Sequence, residues 1–271
     1  MNLSHLVSSV QDYIQPTRNF SLAYIIIDTL CVITFVVLLF LKKRRITAFW
    51  ALAGGLLYFL VDFGYFYLIS GSREIFLAVG EESFSLCSSF QTALVLFWMS
   101  MSYGILDFAF IWLWLSKDEY RKEFTWLIII FWTCIPLTAS IFNNSLPDSM
   151  INFMTTRSTG KYHGFMALIM LVGYLIVIIM NLFNKDKEKI PVLRLFVIGF
   201  MAQFMWEFAL LVFGVRSQIY ADDALRQILT LLQDSLIETN LGLPYIYFIN
   251  KAVMSRWNED LTSKKLKVAT N

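Results

Sequence analysis

At 271 residues, 58% of them hydrophobic and only 15% charged, with a mean hydropathy of +0.62, the chain lies far outside the range of soluble domains and reads as an integral membrane protein. Its formal net charge of +2 argues against a nucleic-acid partner and makes the placement of the basic residues more informative than their number. The three widely spaced cysteines, Cys31, Cys87 and Cys134, form neither a CxxC nor a zinc-ligand pattern.

Residues 1–20 come first. Leu3, Leu6, Val7, Val10, Tyr13 and Ile14 recur at helical spacing until Pro16 ends the pattern, which predicts a short amphipathic helix lying on the membrane surface. It serves either as an anchor or as a lid over an embedded pocket. A basic stretch, an apolar core and a small-residue cleavage site are missing, so no removable signal peptide is expected.

Seven apolar runs follow, at 21–41, 46–69, 91–115, 124–142, 164–183, 192–214 and 224–250. Each is near the roughly 20 residues that cross the hydrocarbon core. The expected fold is an all-α membrane protein with seven transmembrane helices over 21–250 and a basic tail over 251–271. Sixteen basic residues lie in the tail and around the connections after the first, third and fifth runs, Lys42 to Arg45, Lys117 and Lys189 among them, against six on the opposite side. The positive-inside rule then places the N-terminus outside and the C-terminus in the cytoplasm. The sequons at Asn2, Asn19 and Asn143 all fall on the outer side under that orientation. A multi-pass position is expected, in the endoplasmic reticulum for a eukaryotic chain and in the plasma membrane otherwise.

Asp62-Phe63-Gly64 with Arg73 downstream echoes Glu207-Phe208-Ala209 with Arg216 downstream. The echo suggests a 3+1+3 parallel repeat, with the fourth span, carrying Pro136, as the inverting linker. This plan resembles that of the small SWEET-type sugar transporters, in architecture alone.

Six acids lie inside the apolar runs: Asp28, Asp62, Asp107, Glu207, Asp234 and Glu238. Ionisable groups within a span are costly, and by default they mark a functional site facing the bundle interior. At 1.5 Å per residue, Asp28, Asp62, Glu207 and Asp234 lie about 10 to 15 Å below the outer surface, with Glu238 about one turn deeper and Asp107 nearer the cytoplasm. Asp234 and Glu238 are four residues apart and share a helix face with Thr230. Tyr58 precedes Asp62 by one turn, Gln203 precedes Glu207, and Ser100 with Tyr103 precedes Asp107. The arginines near the outer rim, Arg73, Arg216 and Arg226, are expected to pair with some of these acids and leave those structural.

Buried carboxyls serve cation coordination, proton-coupled transport or general acid catalysis. The histidines are His5 and His163, so no multi-histidine metal site can be built, and an all-oxygen calcium site would need six to eight converging ligands. No metal or other cofactor is expected. Serine or cysteine triads and glycine-rich phosphate loops are also missing from the sequence. Aromatics abound on the acid-bearing spans, and Tyr58, Trp98 and Trp206 lie within a turn or so of polar positions rather than at helix ends. Aromatic faces stabilise a cation while excluding water, as protonation of an alkene or epoxide and the ensuing carbocation cascade require. They also simply pack helices. The expected pocket lies between spans two, three, six and seven, with Glu238, Asp62 and Glu207 as candidate acids. Asp234, Asp107, Tyr58, Trp98, Tyr103, Gln203, Trp206 and Asn240 are expected around them.

Two stretches carry a resemblance. In Glu238-Thr239-Asn240-Leu241-Gly242-Leu243-Pro244-Tyr245 an acid is followed four residues later by glycine, then by aliphatic and aromatic residues. In the second span, Tyr58-Phe59-Leu60-Val61-Asp62 precedes Arg73 by about three turns. The chain thereby resembles the small seven-span integral-membrane terpene cyclases of meroterpenoid and indole-diterpene pathways. Their second span carries an amide, two residues, then Trp-Glu. The nearer copy of that motif here, Gln203-Phe204-Met205-Trp206-Glu207, lies in the sixth span. The resemblance implies a cofactor-free cyclase of a prenyl epoxide, with acids at Glu238 and Asp62 and Glu207 as the rival of Asp62. Gly55-x-x-Tyr58-x-x-x-Asp62 is similar to sterol isomerases of the emopamil-binding-protein type, although their histidine is replaced by Tyr58. The expected function is therefore an isoprenoid cyclase or isomerase with a lipophilic small-molecule substrate, the bilayer as its surroundings and no nucleic acid. A small-solute or proton-coupled transporter using the same acids is the alternative, and a seven-helix receptor without turnover is a third class.

Overall fold

The computed structural model describes residues 18–79, 83–145, 151–157, 162–183, 189–216 and 224–264. The amphipathic segment expected before Arg18 lies outside them, as do Asn2 and the side chain of Asn143. Six helices are long and apolar enough to cross a membrane. They are α1 (Leu22–Leu41), α2 (Arg45–Phe59) continuing as a π-helix over Leu60–Ile69, α3 (Ser89–Leu115), α4 (Arg121–Ser145), α5 (His163–Phe183) and α6 (Val192–Val212). Exposed Leu, Ile, Val and Phe along α1 and α5 suit a hydrocarbon surround rather than water.

Starts and stops follow local chemistry. Ser21 caps α1 by accepting from the Tyr24 amide, and Ser88 with Gln91 forms a reciprocal capping box at the start of α3. Lys43 and Lys117, at φ of 58° and 55°, take the left-handed position just past the ends of α1 and α3. The Arg44 amide then reaches the Leu39 carbonyl and the Asp118 amide the Leu113 carbonyl, closing both helix ends. Lysine there opposes the negative end of the helix dipole.

Every residue from Ser102 to Leu113 is buried, which makes α3 the central post of the bundle. Its closest neighbour is α2. A Cβ on Gly104 would fall 2.7 Å from the Gly55 Cα, so the two backbones touch where both helices carry glycine. Close packing through small residues is how helices associate without a hydrophobic driving force from the solvent.

Two expectations change. The run 224–250 is not one helix but two, α7 (Ala224–Ile237) and α8 (Leu243–Met254), joined by turns across Glu238–Gly242. Gly242 is a poor helix residue and Pro244, in the first turn of α8, donates no backbone hydrogen bond, so the sequence favours a fresh start there. Nor is the chain all-α. Four strands, β1 (Arg18–Ser21), β2 (Arg73–Val79), β3 (Ser83–Leu86) and β4 (Ile151–Arg157), form an antiparallel sheet in the order β1-β4-β2-β3. β2 and β4 pair over their whole length, Arg73 opposite Arg157 through Val79 opposite Ile151. These loop segments mix β-branched and aromatic residues with polar ones, which suits a half-buried strand once a partner strand is at hand. The sheet lies at the end of the bundle where α1 begins and α2 ends. The ends bearing Lys42, Lys117, Lys189 and Lys251 form the opposite, basic end.

Candidate acid site within the helix bundle

The sheet delivers arginines into the bundle. Arg73, the first residue of β2, is 1% exposed and donates to Asp62 on the π-helix at 2.9 Å. Ser100 and Tyr103 of α3 donate to the other oxygen of Asp62, at 3.3 and 2.7 Å. A guanidinium and two hydroxyls thus converge as donors on this one carboxyl group. The π-helix carries this acid, and such wide turns concentrate at functional positions.

A second network surrounds Glu207 of α6. Arg18 of β1 pairs with one of its oxygens and Arg216 with the other at 2.6 Å, while Arg216 also donates to Asp234 at 2.8 Å. Arg18 and Arg216 are themselves held by a bridge between their backbones. Glu207 therefore lies inside a network of alternating charges, 1% exposed. The echo noted in the sequence has a physical counterpart, since Asp62 pairs with Arg73 and Glu207 with Arg216.

Between these networks lies a cavity of about 460 Å³. This falls within the 300 to 1,000 Å³ range usual for small-molecule sites. Asp62, Tyr58, Tyr103, Gln203, Trp206 and Glu238, all expected in the site, line it. Its walls are aromatic: the rings of Tyr103 and Trp206 stack at 5.7 Å, and Tyr58 packs against Tyr103 at 4.8 Å and Phe108 at 5.8 Å. Gln203 ties one wall together, donating to Glu238 at 3.1 Å and to Glu207 at 3.3 Å and accepting from Thr239 at 3.0 Å. Glu238 stands at the break between α7 and α8, so the same interruption that unwinds the backbone presents its carboxyl to the cavity. Leu57, Val61, Tyr245 and Ile249 line the cavity and are also exposed on the outer surface. The mouth thus opens between α2 and α8 on the apolar flank.

The other expected residues are elsewhere. Trp98 donates to Asp28 at 2.9 Å and Ser102 to the same carboxylate at 2.8 Å, a structural tie between α1 and α3 outside the cavity. Asp107 is fully buried away from the cavity lining, and neither of its oxygens has a hydrogen-bond partner among the described residues. Asn240 accepts from Tyr174 at 2.9 Å and packs against Gly199, where a Cβ would fall 2.3 Å from its Oδ1. It fastens the broken helix to α5 and α6. Asp234 belongs to the arginine network, with His163 Nε2 at 3.7 Å.

Sequence reasoning missed Arg18, Thr239 and His163. Arg18 lines the cavity with its guanidinium 6.0 Å from the Trp206 ring centre, and nothing in its flanking sequence signals a fold-back through β1. His163, Asp234 and Glu238 bring one ligand atom each within 4.8 Å of one another, although no metal was expected. Within this trio the Arg216 guanidinium bonds the other oxygen of Asp234. Compared with protein-family models, with curated proteins and with solved structures, the chain matches none.

Proposed function

We propose that the protein is a membrane-embedded isoprenoid cyclase or isomerase in which Glu238 gives up the proton. One observation carries the reading: an aromatic-walled cavity that opens on the apolar flank and holds two carboxyl groups in contrasting surroundings, Asp62 facing an arginine and two hydroxyls, Glu238 facing the Gln203 amide with the His163 ring nitrogen 3.9 Å away. A ligand entering there comes from the bilayer. In the proposed step the proton of Glu238 passes to the substrate, leaving the carboxylate: an alkene's π pair forms the new C–H bond, or an epoxide oxygen forms the new O–H bond and its C–O bond breaks with the pair going to oxygen. The resulting carbocation lies against Tyr58, Tyr103 and Trp206, whose π faces stabilise it without trapping it as water would. Loss of a proton from a neighbouring carbon re-forms the double bond, and a carboxylate receives that proton. The substrate is rearranged with no net change in composition.

In this reading the seventh crossing is made by α7 and α8 together, with the N-terminus outside and the C-terminus cytoplasmic, and the Asp62–Arg73 and Glu207–Arg216 pairs are the marks of a parallel repeat. Incubating membranes that contain the protein with a panel of epoxidised and plain prenyl compounds tests it by mass spectrometry and chromatography. An isomer of equal mass, formed only in the presence of the protein, is the expected result. A proton-coupled carrier is the second reading, favoured by the broken helix, because discontinuous spans at mid-membrane typify transporter sites. Flux of an unchanged solute into sealed vesicles, with no product from any prenyl compound, would establish that reading instead.

A further inference from the structure

We infer that the basic end of the bundle carries a phosphate-binding cleft, separate from the acid cavity. The cleft is small, about 50 Å³, and lined by Lys117, Lys189, Arg194 and Lys251 together with Pro191 and Tyr247. These residues come from three separate stretches of the sequence. Lys117 follows α3, Lys189 and Pro191 precede α6, Arg194 lies in the first turn of α6, and Lys251 lies in the last turn of α8. The tertiary fold, and not a run of basic sequence, brings four cations to one concavity.

Among the described residues, cations at this end are paired with acids only outside the cleft. Arg44, at the same end, pairs with Asp118 at 3.2 Å and with Glu119. Those two acids directly follow Lys117, yet they turn to Arg44. Among the described residues none of the four cleft cations is in an ion pair with a carboxylate, and no acid lines the cleft. Like charges gathered without a counter-ion repel one another, and an anion seated among them removes that cost. Arg194 is pre-positioned, because one N–H donates to the Trp114 carbonyl at 2.6 Å and the rest of its planar fork is left for an oxyanion. The Lys251 ammonium is likewise steadied 5.8 Å from the Tyr247 ring centre. The first turn of α6 adds its amide groups, since no side chain caps it at Pro191.

A phosphate group answers this donor set. It comes either from an anionic lipid headgroup or from a soluble phosphate. Leu193, next to Arg194 in sequence, is exposed, and Leu115 and Leu195 add apolar lining to the cleft, as an acyl chain beside the headgroup would require. Basic pockets between spans recognise lipid headgroups in this way, at about 1 kcal/mol per Lys or Arg near the surface.

The purified full-length protein tests the proposal when titrated with short-chain phosphatidic acid, short-chain phosphatidylcholine and inorganic phosphate. Phosphatidic acid is expected to bind more tightly than phosphatidylcholine. The double variant Lys117→Gln/Lys251→Gln, at exposed positions, should weaken that binding about 30-fold, the equivalent of two surface cations. Lys43→Gln/Arg45→Gln removes the same charge from the same end, also at exposed positions, and should leave it unchanged. Inorganic phosphate binding with the same dependence on Lys117 and Lys251 identifies the soluble source; its failure beside tight phosphatidic acid binding identifies the lipid. Equal losses in the two double variants, or equal affinity for the two lipids, would show only diffuse attraction and overturn the cleft.

Discussion

Glu238→Gln keeps the volume of the side chain and its place beside Gln203 while removing the transferable proton. Because general acid catalysis contributes typically 10² to 10⁴-fold, product formation from a prenyl substrate should fall by about that factor, with substrate binding and thermal stability close to those of the parent protein. Near-normal turnover in folded Glu238→Gln protein would remove this residue from the donor's role. Asp62→Asn should behave differently. It withdraws the charge facing Arg73, a buried pair at 2.9 Å, and breaking such a pair costs about 3 to 5 kcal/mol. A loss of thermal stability well beyond that of Glu238→Gln, largely recovered in Asp62→Leu/Arg73→Met, is the expected pattern in a double-mutant cycle. The residue types and their helical companions were legible in the sequence, and six of the expected residues do line one cavity. Their charge partners were legible only in part. Arg73 and Arg216 stood out because they follow their acids closely, whereas Arg18 reaches Glu207 across 189 positions.

Helix–helix contact explains a cost at the level of elements. Gly104→Ala would drive its Cβ into the Gly55 backbone, and overpacking of this kind costs typically 1 to 3 kcal/mol. The melting temperature in detergent should fall accordingly, and fall further with Gly104→Val. At the basic end the tail folds back on α2: Glu259 accepts from the Thr47 amide at 3.0 Å and from its hydroxyl at 2.9 Å. Burial pushes the Glu259 carboxyl above its ordinary 4.5 despite these two donors, and Asp118 is likewise raised by burial. A carboxyl raised on folding binds its proton more tightly in the folded state. Its contribution is thus fully present below the unfolded value of 4.5 and is lost as pH rises through the folded value. Hydrogen-exchange protection of the Ile46 and Thr47 amides, corrected for intrinsic rates, should therefore decline as pH rises from about 4 toward neutrality. Glu259→Gln should flatten that dependence. The break between α7 and α8 was foreshadowed by Gly242 and Pro244, yet hydropathy alone joined the two halves because the average stays apolar across the turn.

For the whole molecule, a sheet caps one end of the bundle and basic residues gather at the other, and the proposed orientation puts that basic end in the cytoplasm. A reporter fused after Asn271 should be reached from the cytoplasmic side alone; access only from the outer side would reverse the orientation while leaving the architecture intact. Hydropathy and length determined by themselves that this is a multi-span helical chain, because the bilayer imposes one length and one polarity on every crossing segment. Spacing likewise placed Asp28, Asp62, Asp107, Glu207 and Asp234 on helices, whereas Glu238, expected within a helix, falls on the turns between α7 and α8. Only the tertiary structure decided that Asp62 meets an arginine while Glu238 meets the Gln203 amide and the His163 ring, that Trp98 serves Asp28, and that Asp107 is outside the cavity lining. It also decided that loops pair into a sheet, since strand pairing is non-local and a lone strand has no partner in its own sequence. Both outcomes have one physical reason: burial along a helix is repetitive and local, whereas a buried charge takes its character from whatever distant side chain the fold sets against it.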